Sequence, residues 1–228
     1  MRFSSLVVGE LETNCYIITP DKMSAEGAAE DVSTAAEKDG LTAAAVIDPA
    51  GDVEVIIAAL ERGHLFPRYI LLTHGHYDHC AALSELYRHY GGKPQVAVTE
   101  ADKHYLGADA YKAHYECFRA AGYAQFVDTI KINPLPEPAL ILHEGDEVAG
   151  LKCLLTPGHT EGSCVFYSER EKTLFSGDTL FCSGYGRTDL PGGDERKLYA
   201  SLKRLLALPG ETRVFPGHGG MTSIQDER

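Results

Sequence analysis

The chain has 228 residues, 44% hydrophobic and 24% charged, which places it among globular proteins and excludes a disordered or fibrous one. Its 33 acidic residues against 21 basic ones give a formal net charge of −12, so it lacks the Lys/Arg excess needed to grip nucleic-acid phosphates or an anionic lipid surface. No apolar run approaches the ~18–20 residues of a membrane span, and the N-terminus turns acidic at Glu10 too soon for a secretion signal, so a cytoplasmic protein is expected. The six cysteines (Cys15, Cys80, Cys117, Cys153, Cys164, Cys182) show no C-x-x-C spacing and read as free thiols.

In chain order, Phe3–Val8 and Asn14–Thr19 read as strands joined by a polar turn. Asp21–Thr42 is rich in Ala, Glu, Asp and Ser without an apolar period and reads as an inserted surface loop. Ala43–Asp48 is a buried strand closed by Pro49 and Gly51. Asp52 then caps a helix with Val53, Ile56, Ile57 and Leu60 on one face, ending at Gly63. Arg68–Thr73 is the next strand, Ala81–Tyr90 a helix and Gln95–Val98 a strand. Glu100–Tyr123, Ala-rich with scattered Tyr and His, predicts one or two helices broken near Gly107, placed as a flap between the halves; His104 and His114 on it read as surface or packing residues. Pro134, Pro136 and Pro138 mark a stiff connection. Strands follow at Leu140–His143, Leu151–Thr156, Cys164–Ser168 and Thr173–Ser176. A helix over Glu195–Leu208 then presents Leu198, Leu202, Leu205 and Leu206, and Arg213–Phe215 is a last strand. No linker divides this alternation, so a single domain over 1–228 is expected.

The informative stretch is Thr73-His74-Gly75-His76-Tyr77-Asp78-His79, three imidazoles and a carboxylate directly after an apolar strand. On a strand end His74 and His76 share one side, and the following turn brings Asp78 and His79 to a second point. Neutral imidazole and carboxylate are ligands for borderline divalent metals, zinc foremost, with iron and manganese as alternatives. Three more segments place a ligand-type side chain in a Gly-marked loop after a strand: Thr156-Pro157-Gly158-His159-Thr160, Ser176-Gly177-Asp178-Thr179 and Phe215-Pro216-Gly217-His218-Gly219. Glycine beside such a residue lets the backbone approach an ion without a Cβ clash. Together they supply five histidines and two aspartates, enough for two ions sharing a carboxylate. Cys80 and Cys182, beside this set, read as small buried packing residues rather than further ligands, and Tyr77 as a residue lining the pocket.

In this order the H-x-H-x-D-H, T-P-G-H-T, S-G-D and P-G-H motifs resemble those of the metallo-β-lactamase superfamily over nearly the whole chain. The resemblance implies an α/β (α+β) fold, an αββα sandwich of two mixed sheets face to face with helices outside and the site at one edge. It implies His74, His76 and His159 at a first metal, Asp78, His79 and His218 at a second, and Asp178 bridging. It further implies hydroxide attack on a carbonyl or phosphoryl group, with Asp78 orienting the nucleophile.

The segment Gly184–Asp194 looks like the G-R-T-D loop of glyoxalase II-like thioesterases, the small bacterial type of hydroxyacylglutathione hydrolase, and of the related persulfide dioxygenases. By that match Arg187 grips a glutathione carboxylate, for which a planar guanidinium is suited. The other reading pins Arg187 to Asp189 or a backbone carbonyl, and Tyr185 is either a substrate wall or packing. The chain stops at Arg228 without the C-terminal helical region of longer glyoxalase II chains, so broader thioester recognition is also expected. The resemblance therefore implies a dinuclear hydrolase of S-2-hydroxyacylglutathione. A mononuclear-iron persulfide dioxygenase using His74, His159 and Asp178, a broad metallo-hydrolase of lactones or other esters, and a non-catalytic metal-binding domain stand as alternatives. The expected partner is a small glutathione-like thioester, with neither nucleic acid nor membrane; the sequence sets no oligomeric state.

Overall fold

The computed structural model describes residues 1–20, 40–127, 132 and 134–228. Its first sheet contains β1 (Arg2–Val8), β2 (Thr13–Thr19), β3 (Thr42–Ile47), β4 (Leu65–Leu71), β5 (Gln95–Thr99) and β6 (Leu140–Leu142), adjacent in that order. β1 to β3 pair antiparallel and β3 to β6 parallel. The parallel pairs need crossovers. Helix α1 (Val53–Arg62) supplies the one between β3 and β4, and α2 (Tyr77–Cys80) with α3 (Leu83–His89) the next. The second sheet is built from β7 (Glu147–Val148), β8 (Leu151–Leu155), β9 (Cys164–Ser168), β10 (Thr173–Gly177), β13 (Arg213–Pro216) and β14 (Thr222–Ser223), in the order β14-β13-β10-β9-β8-β7. Only β10–β13 is parallel in it. A small hairpin, β11 (Leu180–Phe181) with β12 (Gly184–Tyr185), stands apart.

The strand period of two sorts the side chains into layers. On one face of the first sheet Cys15, Ile17, Ala44, Val46, Ile70, Val96 and Val98 pack with Ile56 and Leu60 of α1 and Leu83 and Leu86 of α3. Their alternate neighbours Tyr16, Ile18, Ala45, Ile47, Tyr69, Leu71 and Ala97 meet Leu151, Cys153, Cys164, Phe166 and Phe175 of the second sheet. The far face of that sheet, with Leu154, Val165, Tyr167 and Leu174, is covered by Leu198, Leu202 and Leu205 of α6 (Glu195–Leu205). The layers run helix, sheet, sheet, helix. Among the described residues no helix is long and apolar enough to cross a membrane.

Several expectations change in detail. Of the expected insert at 21–42, residues 21–39 lie outside the described residues, and Thr42 is already the first residue of β3. Asp52 precedes α1 but does not cap it with its side chain. Its backbone is left-handed at φ 43°, and its carboxylate instead accepts from the Gly9 N–H at 2.8 Å. The helix expected over 81–90 runs from Leu83 to His89, and a separate short helix, Tyr77–Cys80, precedes it inside the histidine run. α6 stops at Leu205, and its first turn is capped by Asp194, whose carboxylate accepts from Lys197 N–H at 3.0 Å. In the expected flap, a 3-10 turn (Lys103–Tyr105) and α4 (Ala110–Ala120) flank Gly107, and α5 (Ala124–Val127) follows. His104 is exposed, while buried His114 donates from Nε2 to the Tyr105 carbonyl at 2.9 Å.

Candidate metal centre

Four strands run their C-terminal ends to one edge of the sandwich, and each delivers a ligand-type side chain just beyond it: His74 after β4, His159 after β8, Asp178 after β10, His218 after β13. The sharp turn into α2 adds His76, Asp78 and His79. Three groups of donor atoms lie within 4.8 Å of one another: His74–His76–His159, His74–His79–Asp178 and Asp78–His79–His218. Asp178 joins the outer two. Its carboxylate is 3.2 Å from His79 Nε2, 3.7 Å from His159 Nε2 and 3.6 Å from His218 Nε2. Asp78 lies 3.4 Å from His218 Nε2 and 3.7 Å from His79 Nε2. All seven residues picked out in the sequence thus meet at one place.

Hydrogen bonds behind the rings aim the free nitrogens inward. His159 Nδ1 donates to the Arg187 carbonyl at 2.7 Å, and His218 Nδ1 to the Leu11 carbonyl at 3.0 Å. His79 Nδ1 donates to Asp48 Oδ2 at 2.9 Å. Each ring then turns its Nε2 toward the cluster, the arrangement that metal-ligating histidines use. Buried His74 Nε2, His79 Nε2 and Asp178 Oδ1 have no hydrogen-bond partner. His76 Nδ1 and His159 Nε2 face each other at 2.9 Å, close enough to share one proton or, with both rings unprotonated there, one cation. Leaving such groups buried and unsatisfied is costly, so the donor set fits a divalent ion.

The electrostatics agree. Burial, followed by the neighbouring His79 and His159, holds His74 well below its ordinary value, and burial with His159 takes His76 down to about 3, so both rings are neutral and ready to ligate. Burial also opposes a charge on His79, but Asp178, Asp78 and Asp48 around it win and raise it well above the ordinary range. Asp178 is buried too, yet His79 and His159 lower it. The second half of the cluster therefore demands a positive charge.

The sequence did not point to Asp48. It is 1% exposed at the end of β3, and it accepts from the Thr73 backbone at 2.8 Å, the Thr73 hydroxyl at 2.7 Å and His79. The Thr73 hydroxyl is in turn 3.1 Å from His74 Nδ1. The available signal was an aspartate ending the strand paired in register with the one that leads to the histidines. A second buried carboxylate, Asp102, lies behind two of the ligand loops.

Close approach explains two glycines. A Cβ on Gly217 would sit 2.2 Å from Asp178 Oδ1 and 2.7 Å from His79 Cε1. A Cβ on Gly186 would sit 1.9 Å from the Asp178 carbonyl and 3.0 Å from His159 Nδ1. The G-R-T-D loop thus braces the cluster through backbone. The Arg187 side chain forms a two-pronged pair with Asp189, at 2.7 and 2.8 Å, and draws the Asp189 carboxyl down to about 2. Of the two readings of Arg187, this structure shows the pinned one. Half-exposed Tyr185 has its hydroxyl 3.1 Å from that of Tyr199 and lines a groove of about 650 Å³ with Leu180, Leu202 and Leu206; none of the seven cluster residues lines it. Tyr77 packs edge-on against His114 and Phe118 of α4, and Tyr105 edge-on against His76. Cys80 is buried and bonds the His76 carbonyl, whereas Cys182 is exposed, against the expectation of a packing residue, because the β11–β12 turn carries it outward.

A model of the metallo-β-lactamase superfamily matches residues 37–218. The chain belongs to the metallo-β-lactamase superfamily. It is 31% identical to a probable metallo-hydrolase of Bacillus subtilis over 100% of this chain and 95% of that one. With the hydroxyacylglutathione hydrolase GloC of Haemophilus influenzae it shares 33% identity, over 81% of this chain and 84% of the relative. The structure of TTHA1623 in a di-iron-bound form superposes with a TM-score of 0.78 at 33% identity, covering 98% of this chain and 96% of the other. The helix–sheet–sheet–helix layering is the metallo-β-lactamase sandwich, and its His/Asp cluster is of the kind that binds divalent metals.

Proposed function

We propose that this single-domain member is a dinuclear metal-dependent hydrolase of thioesters, of the S-2-hydroxyacylglutathione type. The observation that carries this reading is the pair of triads, His74–His76–His159 and Asp78–His79–His218, joined by one carboxylate, Asp178. The first triad would hold one ion, the second another, zinc foremost with iron or manganese as alternatives. Bound there, the two ions supply a water of lowered pKa and a Lewis-acid grip on the thioester carbonyl.

The chain's own residues supply position and charge. Arg187 O, Asp48 and Leu11 O fix the ring orientations of His159, His79 and His218. Asp78, half-buried beside His218 and His79, is placed to orient the attacking water as well as to ligate. The similarity to GloC supports a glutathione thioester. Arg187, exposed and already bound to one carboxylate, would exchange Asp189 for a carboxylate of the glutathione moiety. Tyr185 faces another groove and has no part in this reading.

The test is hydrolysis of S-lactoylglutathione by metal-loaded protein, read as loss of the thioester against a His76→Ala control, with metal counted per chain. Turnover with two ions per chain is expected. No turnover above the control overturns the reading, and oxygen uptake with glutathione persulfide at one iron per chain replaces it with the dioxygenase.

A further inference from the structure

Asp102 is fully buried, just before the 3-10 turn in the 100–123 segment, and the three hydrogen bonds its carboxylate accepts all come from ligand loops. Its Oδ2 accepts from the Gly75 N–H at 2.8 Å and the Thr160 hydroxyl at 2.7 Å, and its Oδ1 accepts from the Gly162 N–H at 2.8 Å. Gly75 lies between His74 and His76, and Thr160 directly follows His159. The carboxylate is therefore a cross-brace between the two loops that carry the first triad. Thr99, also on that side, donates to the Gly162 carbonyl at 2.6 Å, and Ser163 lies 2.7 Å from the Thr160 hydroxyl, so the brace is itself held.

We propose that Asp102 is the positioning residue of the first triad: by tying the His74–His76 loop to the His159 loop it sets the divalent-metal affinity of that triad and not of the second. The proposal rests on the reading that the triads hold metal.

Three observations carry it. His76 Nδ1 and His159 Nε2 approach to 2.9 Å across the two loops, and only a fixed loop spacing keeps two such donors on one ion. A buried ionised carboxylate destabilises the fold unless it is fully hydrogen-bonded, and Asp102 is satisfied by these loops alone. Its bonds reach no residue of the second triad, whose rings are backed by Asp48 and the Leu11 carbonyl. Asparagine would not substitute: its NH₂ would face the N–H of Gly162 or Gly75, or the Thr160 hydroxyl, one of which would then lose its acceptor.

The experiment separates the triads. Metal-free protein is titrated with Zn²⁺ against a chromophoric chelator in two backgrounds, His218→Ala, which leaves the first triad, and His76→Ala, which leaves the second. Asp102→Asn is expected to weaken Zn²⁺ binding about 10–100-fold in the His218→Ala background. In the His76→Ala background it should change affinity by about twofold or less. Equal weakening in both backgrounds, or none in either, overturns the proposal. Should Asp102→Asn not fold, Thr160→Val removes one arm of the brace and is expected to give a loss of about tenfold or less confined to the first triad, with Thr160→Ser restoring it. Failure of the unmodified chain to bind two Zn²⁺ would instead strike the metal reading itself.

Discussion

The two triads are made differently. The first is all imidazole and closed to solvent, with His74 1%, His76 5% and His159 3% exposed and the His74 and His76 rings held neutral by burial. The second mixes a carboxylate with two imidazoles and opens outward, the Asp78 and His218 side chains being 28% and 27% exposed. The first triad is prepared by geometry, its neutral donors held in place with no carboxylate among them. The second is prepared by charge, with Asp78, Asp178 and Asp48 gathered round His79. Rigidity and charge compensation are alternative ways to prepare a cation site, and this edge of the sandwich uses both within a few ångströms.

That contrast is open to attack, starting with the carboxylate that joins the two triads. Asp178→Ala should cost both ions and lower S-lactoylglutathione turnover by more than the ~10–100-fold typical of losing an outer partner of a ligand. Metal analysis on the same sample would show fewer than two ions. Asp48→Asn should cost about 10–100-fold in metal affinity, with the larger share in the His76→Ala background, because Asp48 backs His79 directly and His74 only through Thr73.

A smaller effect concerns protons. The raised value of His79 means the metal-free protein carries a proton there at neutral pH, and an ion must expel it. Zinc calorimetry in buffers of different ionisation enthalpy should register more protons released on filling the second triad, where His79 and His218 are both raised, than on filling the first, where His74 and His76 are already neutral. The same shifts give opposite trends in metal-free stability. The His79 contribution is present at low pH and lost as pH rises through its raised value. The His76 contribution is present above ~6.5 and lost as pH falls from there toward about 3. Thermal melts of metal-free His79→Ala and His76→Ala across pH would show whether the two curves diverge in these directions.

The smallest change should come from Arg187→Ala. Its backbone carbonyl still holds His159, so metal content and kcat should stand while KM for the glutathione thioester rises about tenfold. A parallel fall in metal content would place the side chain in the cluster's support rather than in substrate contact.

How much of this was legible follows from where contacts form. Four of the seven cluster residues lie within His74–His79, so local spacing displayed them, and the other three recur as Gly-marked strand ends. Asp48 and Asp102 have no such mark. They meet the ligand loops across 25 to 60 residues of sequence, through strand pairing that a linear reading does not display. Two-residue strands such as β7, β11, β12 and β14 are too short to show a period. Arg187 shows the converse: the side chain drew attention, but it is the carbonyl that touches the cluster's histidine.

The last cluster residue depends on the first hairpin. The Leu11 carbonyl accepts from His218, the Asn14 N–H donates to the Gly217 carbonyl at 2.7 Å, and the Asn14 side chain donates to the carbonyls of Pro216 at 3.0 Å and Gly219 at 2.9 Å. The second triad is thus completed only where segments some two hundred residues apart meet, whereas the first is drawn entirely from residues 74–159.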